Sequence, residues 1–181
     1  MVKRWIVTAL GQDRPGIVAG VTKILYQLGC NLEDSAMTRL EGEFAIMLIF
    51  STRPAVTAAR LHKAFTSLQR RLRLAVHLKP LTKGEVASPK KRGAAYLISV
   101  YGTDRPGIVY RVSEALSRSK VNITDVHTHR SAGHGSSLYL TLLEVELPPS
   151  RSLKSLDATL KRVAKRLRVE VSVRPSEPSI L

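Results

Sequence analysis

Hydrophobic and polar positions change period along this chain, and each change marks an element. Trp5 to Leu10 is a largely apolar run, the pattern of a strand near the centre of a sheet. Ile17, Val18, Val21, Ile24, Leu25 and Leu28 follow at steps of 1, 3, 3, 1 and 3, one face of a helix. Gly29 stands just past the last apolar residue, where glycine commonly ends a helix. Asn31 to Leu40 is more polar and predicts a strand near an edge. Glu41-Gly42-Glu43 predicts a hairpin turn into Phe44 to Phe50, an unbroken apolar run and so a buried strand. Pro54 breaks the chain. Leu61, Phe65, Leu68 and Leu72 then step by 4, 3 and 4, a second helix. Leu74, Val76 and Leu78 alternate with Ala75 and His77 in a last strand, closed by Pro80.

The second half repeats this order. Ala95 to Tyr101 predicts a strand, and Ile108, Val109, Val112, Ala115 and Leu116 form a helix face. Asn122 to Arg130 aligns with Asn31 to Arg39. A longer hairpin, Ser131 to Ser136, leads into a buried strand over Ser137 to Leu147. Leu153, Leu156, Leu160, Val163 and Leu167 step by 3, 4, 3 and 4, the second helix again. The order β-α-β-β-α-β, met twice, is the split βαβ arrangement of ferredoxin-like α+β folds, with an antiparallel sheet and both helices on one face. Two domains are expected, over 1–80 and 94–175. Residues 81–93 have no period and carry Lys90-Lys91-Arg92, a basic linker; 176–181 reads as a tail.

One stretch joins first strand to first helix in both halves. Gly11-Gln12-Asp13-Arg14-Pro15-Gly16-Ile17-Val18 returns 91 residues later as Gly102-Thr103-Asp104-Arg105-Pro106-Gly107-Ile108-Val109. Asp13 and Asp104 are predicted to cap the free N–H groups of the helix. Pro15 and Pro106 sit where a missing N–H costs little. Gly16 and Gly107 remove a side chain, so that a backbone or a ligand can come close. A helix N-terminus favours an anion, and a small carboxylate suits it. The same residues also make a tight turn and a good cap with no ligand. Duplication copies both kinds of turn, so the repeat leaves both readings open.

Composition narrows the function classes. Hydrophobic residues make up 44% and charged residues 24% of the chain, which fits a globular protein rather than a disordered one. The single cysteine, Cys30, excludes an internal disulfide framework and reads as a packing residue. No apolar run is long enough to span a membrane, and Trp5 to Leu10 is too short for a signal peptide, so a cytoplasmic protein is expected. The net charge of +15 permits salt-sensitive attraction to nucleic acid. With three Phe, five Tyr and one Trp, a stacking platform for single strands is poorly supplied. There is no phosphate-binding glycine loop and no CxxC pair. His127 and His129 share a strand face near His134, a set that can bind zinc. The matching first-half positions are Ala36 and Thr38, so the set is not part of the repeat, and polar surface is the favoured reading. Ser136 and Ser137 lack a placed acid for a triad. No catalytic residue, metal or cofactor is expected.

The Asp-Arg-Pro-Gly-Ile-Val turn, Asn31-Leu32 or Asn122-Ile123 after the first helix, and the βαββαβ order together resemble the ACT domain. As a tandem pair, the chain resembles the glycine cleavage system transcriptional repressor group of ACT proteins. The resemblance implies sheets that pair side by side and amino acids bound at the pair interface, near the turn and the start of the second strand. Carried onto this chain, it points to Gln12, Asp13, Arg14, Pro15, Gly16, Ile17 and Val18 with Asn31. In the second half it points to Thr103, Asp104, Arg105, Pro106, Gly107, Ile108 and Val109 with Asn122. It further implies glycine as ligand, a LysR-type activator as partner, self-association through the ACT domains, and no catalysis. A charge of +15 is not something the ACT pattern requires. It leaves open the alternative of a basic accessory protein that touches nucleic acid or an acidic partner without an amino-acid ligand.

Overall fold

The computed structural model describes residues 2–82, 93–131 and 137–176. These form two compact units. The first runs β1 (Lys3–Gln12), α1 (Ile17–Gln27), β2 (Asn31–Leu40), β3 (Glu43–Thr52), α2 (Ala58–Leu72) and β4 (Ala75–Leu81). The second runs β5 (Ala94–Thr103), α3 (Ile108–Arg118), β6 (Asn122–Ser131), β7 (Leu138–Leu147), α4 (Leu153–Leu167) and β8 (Val169–Pro175). Strand order is β2-β3-β1-β4 in one sheet and β6-β7-β5-β8 in the other, with every neighbour antiparallel. The βαββαβ ferredoxin-like fold is therefore present twice.

Alternation along the central strands decides which face meets the helices. Trp5, Val7 and Ala9 are buried and pair across the sheet with Phe50, Leu48 and Ile46. Ile17, Val21 and Leu25 of α1 and Leu61, Phe65 and Leu68 of α2 close over them. The helical spacing selects these residues, but also Val18, which is 41% exposed. The second core is built alike, from Ile98, Val100, Leu143 and Val145 under Val112, Leu116, Leu156 and Leu160. Burying each such side chain contributes about 1.5–3 kcal/mol. The opposite sheet faces stay open, leaving Leu10, Met47, Tyr101 and Leu138 exposed.

Pro80 does not close the last strand. It lies within β4, opposite Trp5, and Pro175 lies within β8, opposite Tyr96. Both strands are sheet edges, where a missing N–H breaks no ladder bond. β4 thus runs one residue past the strand end expected at Pro80, to Leu81. The run Lys90-Lys91-Arg92, His134 and Ser136 of the long hairpin, and residues 177–181 of the expected tail lie outside the described residues. No helix among the described residues is long and apolar enough to cross a membrane.

Candidate functional site

The repeated turn has one geometry in both units. Gly16 (φ 96°, ψ −5°) and Gly107 (φ 94°, ψ 1°) occupy the N-cap positions of α1 and α3. Side chains rarely adopt this backbone conformation, which is why glycine stands here. A Cβ built on either would meet nothing within 4 Å, so the glycines serve the backbone angle and leave open space rather than a close approach. Close approach is the role of Gly11 and Gly102 instead. A Cβ there would stand 2.9 Å from Leu74 Cδ2 and 2.8 Å from Val169 Cγ1 respectively.

Asp13 and Asp104 do not cap the helices; among the described residues no side chain accepts a hydrogen bond at either N-terminus. Their carboxylates turn to an arginine of the neighbouring edge strand. Asp13 meets Arg39 of β2 at 3.5 Å, and Asp104 meets Arg130 of β6 at 3.0 Å. Their backbone N–H groups donate to Gly42 O and Ser137 O, which ties each turn to the adjacent hairpin. Pro15 and Pro106 precede the N-cap instead of opening the first helical turn. The first intrahelical bonds run from Gly20 N to Gly16 O and from Arg111 N to Gly107 O. The amides of Ile17, Val18 and Ala19, and of Ile108, Val109 and Tyr110, therefore precede any intrahelical partner. Among the described residues no partner is seen for these amides, and each turn also carries an Asp–Arg pair.

The side chains of the turn divide by role. Ile17 and Ile108 are 2% exposed and anchor the helices in the cores, so only their backbones can meet a ligand. Gln12, Asp13, Pro15, Gly16 and Val18 are exposed, as are Thr103, Arg105, Pro106 and Gly107; Asp104 and Val109 are half-buried. Arg14 folds back and donates from Nη2 to the Leu72 carbonyl at the end of α2, 2.8 Å away. Arg105 remains exposed. The two turns are thus alike in backbone and different in arginine.

Asn31 and Asn122 do not join the turn of their own unit. Asn31 pairs with Ser51, which pairs with Arg4, whereas Gln12 pairs with Glu43. Eight strand residues separate these rows, roughly 26 Å at about 3.3 Å per residue. Asn122, opposite Glu146 and so in the row of Ala95, is equally far from Thr103. The residues that sequence reasoning missed are Arg39 and Arg130. They share the 91-residue offset of the turn, and that shared offset was the available signal.

The remaining candidates are simpler. Cys30 is partly buried against the first core, and burial pushes its thiol pKa up. His127 Nε2 lies 2.8 Å from Asp125 Oδ2 on an exposed strand. No group of three or more potential metal ligands stands together among the described residues.

A family model for the ACT domain matches residues 3–79 and again residues 95–174. The chain belongs to the ACT domain family. Its two ACT units are matched along nearly their whole length by the glycine cleavage system transcriptional repressor of Escherichia coli, 26% identical over 172 residues, covering 93% of this chain and 87% of that one. A UPF0237 protein of Streptococcus mutans is 34% identical over 73 residues, covering 40% of this chain and 83% of its own length, and so matches about one ACT unit. Among solved structures, an unknown protein of Galdieria sulphuraria superposes with a TM-score of 0.78 at 24% identity, covering 98% of this chain and all (100%) of that one. A candidate glycine cleavage system transcriptional repressor superposes at 0.73 with 18% identity, covering 98% and 99%. The tandem ACT fold extends through both.

Proposed function

We propose that this tandem ACT protein is a non-catalytic regulator that binds a small amino acid, glycine first, and thereby changes its contacts with a protein partner. The observation that carries the reading is the duplicated turn, in which helix amides without an intrahelical partner follow a glycine that leaves space beside it in both units. A ligand carboxylate suits those amides and the partial positive charge of the helix end. The ligand's ammonium suits the carboxylate of Asp13 or Asp104, in exchange with Arg39 or Arg130. Such an exchange is accessible because exposed ion pairs contribute only about 0–1 kcal/mol. Glycine, with no side chain, is the amino acid least hindered by Val18 or Val109. The likeness to the E. coli repressor supports glycine and a place in transcriptional control of glycine or amino-acid metabolism, with a LysR-type activator as the partner. Because Asn31 and Asn122 lie far from their own turns, an asparagine would join a site only when supplied by another ACT unit.

Titration calorimetry with glycine, then with a panel of amino acids at fixed salt, tests the reading. Saturable heat with glycine that disappears for glycinamide, which lacks the carboxylate, is the expected result. Silence across the panel would remove amino-acid regulation from the account.

A further inference from the structure

The second helix of each unit concentrates the chain's charge. From Thr57 to Arg73, five cations (Arg60, Lys63, Arg70, Arg71 and Arg73) occur with no acid. From Ser152 to Arg168, six cations occur with one acid, Asp157. These two segments carry a net +10 of the chain's +15. All eleven cations are exposed, because the apolar stripes Leu61–Phe65–Leu68 and Leu156–Leu160–Ala164 turn the other sides of α2 and α4 to the cores. Only Lys161 meets an acid among the described residues, Asp157 at 2.7 Å. On α2, Lys63, Arg70 and Arg71 line a shallow groove together with the hydroxyls of Thr66 and Ser67. The last turns correspond across the repeat: Arg70, Arg71 and Arg73 stand where α4 has Lys165, Arg166 and Arg168.

Unpaired cations held side by side repel one another, and an anionic polymer relieves that repulsion by releasing its counterions. From Arg60 to Arg73 the stripe extends roughly 20 Å along the helix, enough to meet several successive phosphates. The exposed face carries no Phe, Tyr or Trp ring to stack a splayed base and no large apolar side chain to enter a lipid surface. RNA is distinguished by its 2′-hydroxyl, which both donates and accepts; on these faces the hydroxyls of Thr66 and Thr159 already donate to carbonyls of their own helices, and the one carboxylate is tied to Lys161. We propose that the outer face of α2, and separately that of α4, bind the phosphate backbone of double-stranded DNA without reading its sequence. This surface uses residues other than those of the turns and needs no amino-acid ligand.

The test is fluorescence anisotropy of the full chain with a labelled DNA duplex across a salt series, alongside an RNA duplex of equal length. Contact with about four phosphates gives a slope near −4 in log affinity against log salt. Because either face binds without the other, the combined variant K63Q/R70Q/R71Q/R162Q/K165Q/R166Q should weaken binding at least about ten-fold and flatten the slope by roughly two to three, whereas either triple alone should lower apparent affinity by about two-fold. The variant K23Q/R53Q/K120Q removes three exposed cations elsewhere and should keep binding within about two-fold. Equal loss in the combined variant and in K23Q/R53Q/K120Q, absence of salt-dependent DNA binding, or tighter binding to RNA would each overturn the proposal. Calorimetry with glycine reads the turns separately, so failure of one proposal is distinguishable from failure of the other.

Discussion

Alanine at Gly107 and alanine at Gly102 should both destabilise the second unit, for different reasons that a third substitution separates. At Gly107 the backbone has φ 94°, and a Cβ would meet nothing within 4 Å. The cost is therefore backbone strain alone. Left-handed backbone costs a side-chain-bearing residue about 1–2 kcal/mol. Restricting the unfolded chain returns about 0.4–1 kcal/mol. A net loss near 1 kcal/mol follows. At Gly102 the new Cβ would stand 2.8 Å from Val169 Cγ1, 3.1 Å from its Cβ and 3.2 Å from its Cα. That is overpacking, of order 1–3 kcal/mol. Urea unfolding of each variant with and without Val169→Ala resolves the two. The truncation should recover part of the Gly102→Ala loss by removing the nearest atom. With Gly107→Ala it should add independently, within about 0.3–0.5 kcal/mol. A neutral Gly107→Ala, or its rescue by Val169→Ala, would refute the assignment of strain to one glycine and contact to the other.

Other consequences can be checked with the same purified protein. Arg14→Gln removes a charged donor from the Leu72 carbonyl and should cost about 1–2 kcal/mol in urea unfolding, whereas Arg105→Gln should change stability by less than about 0.5 kcal/mol. Asp13→Asn and Asp104→Asn break exposed pairs and should leave stability within about 1 kcal/mol, while weakening glycine binding in calorimetry. Phe65→Ala, at a side chain only 1% exposed, should cost about 3–5 kcal/mol in thermal or urea unfolding. Because burial raises the Cys30 pKa, iodoacetamide should alkylate the folded protein more slowly than the unfolded chain near pH 8. The same shift makes the thiol's contribution to stability present below the unfolded-state pKa and lost as pH rises through the higher folded-state value, which unfolding curves at alkaline pH would reveal.

The fold was legible because its elements carry their own periods. Steps of three and four through Leu61, Phe65, Leu68 and Leu72 leave little choice of helix face, and the Phe44–Phe50 run marks an inner strand of the sheet, although only Ile46, Leu48 and Phe50 are buried and Met47 on the other face is exposed. Pro80 misled because proline stops a central strand but not an edge strand, and edge position is a property of the whole sheet. The turn was found by its repetition, yet the partner of Asp13 was not. An aspartate before a helix reads as a cap, and only the β2–β3 hairpin, folded back beside the turn, brings Arg39 within reach. Asn31 shows the opposite limit. It is close to the turn in the motif, but α1 and the antiparallel register carry it to the far end of the sheet. The concentration of charge on α2 and α4 was hidden in a composition that gives only the total.

The most direct test of the central claim is a nitrogen-15 amide spectrum of the full chain titrated with glycine. Binding at the turns predicts saturable shifts at Gly16, Ile17 and Val18 or at Gly107, Ile108 and Val109, with Asp13 or Asp104 following and α2 and α4 undisturbed. Shifts confined to other elements, or no shift at saturating glycine and at every amino acid of the panel, would contradict it.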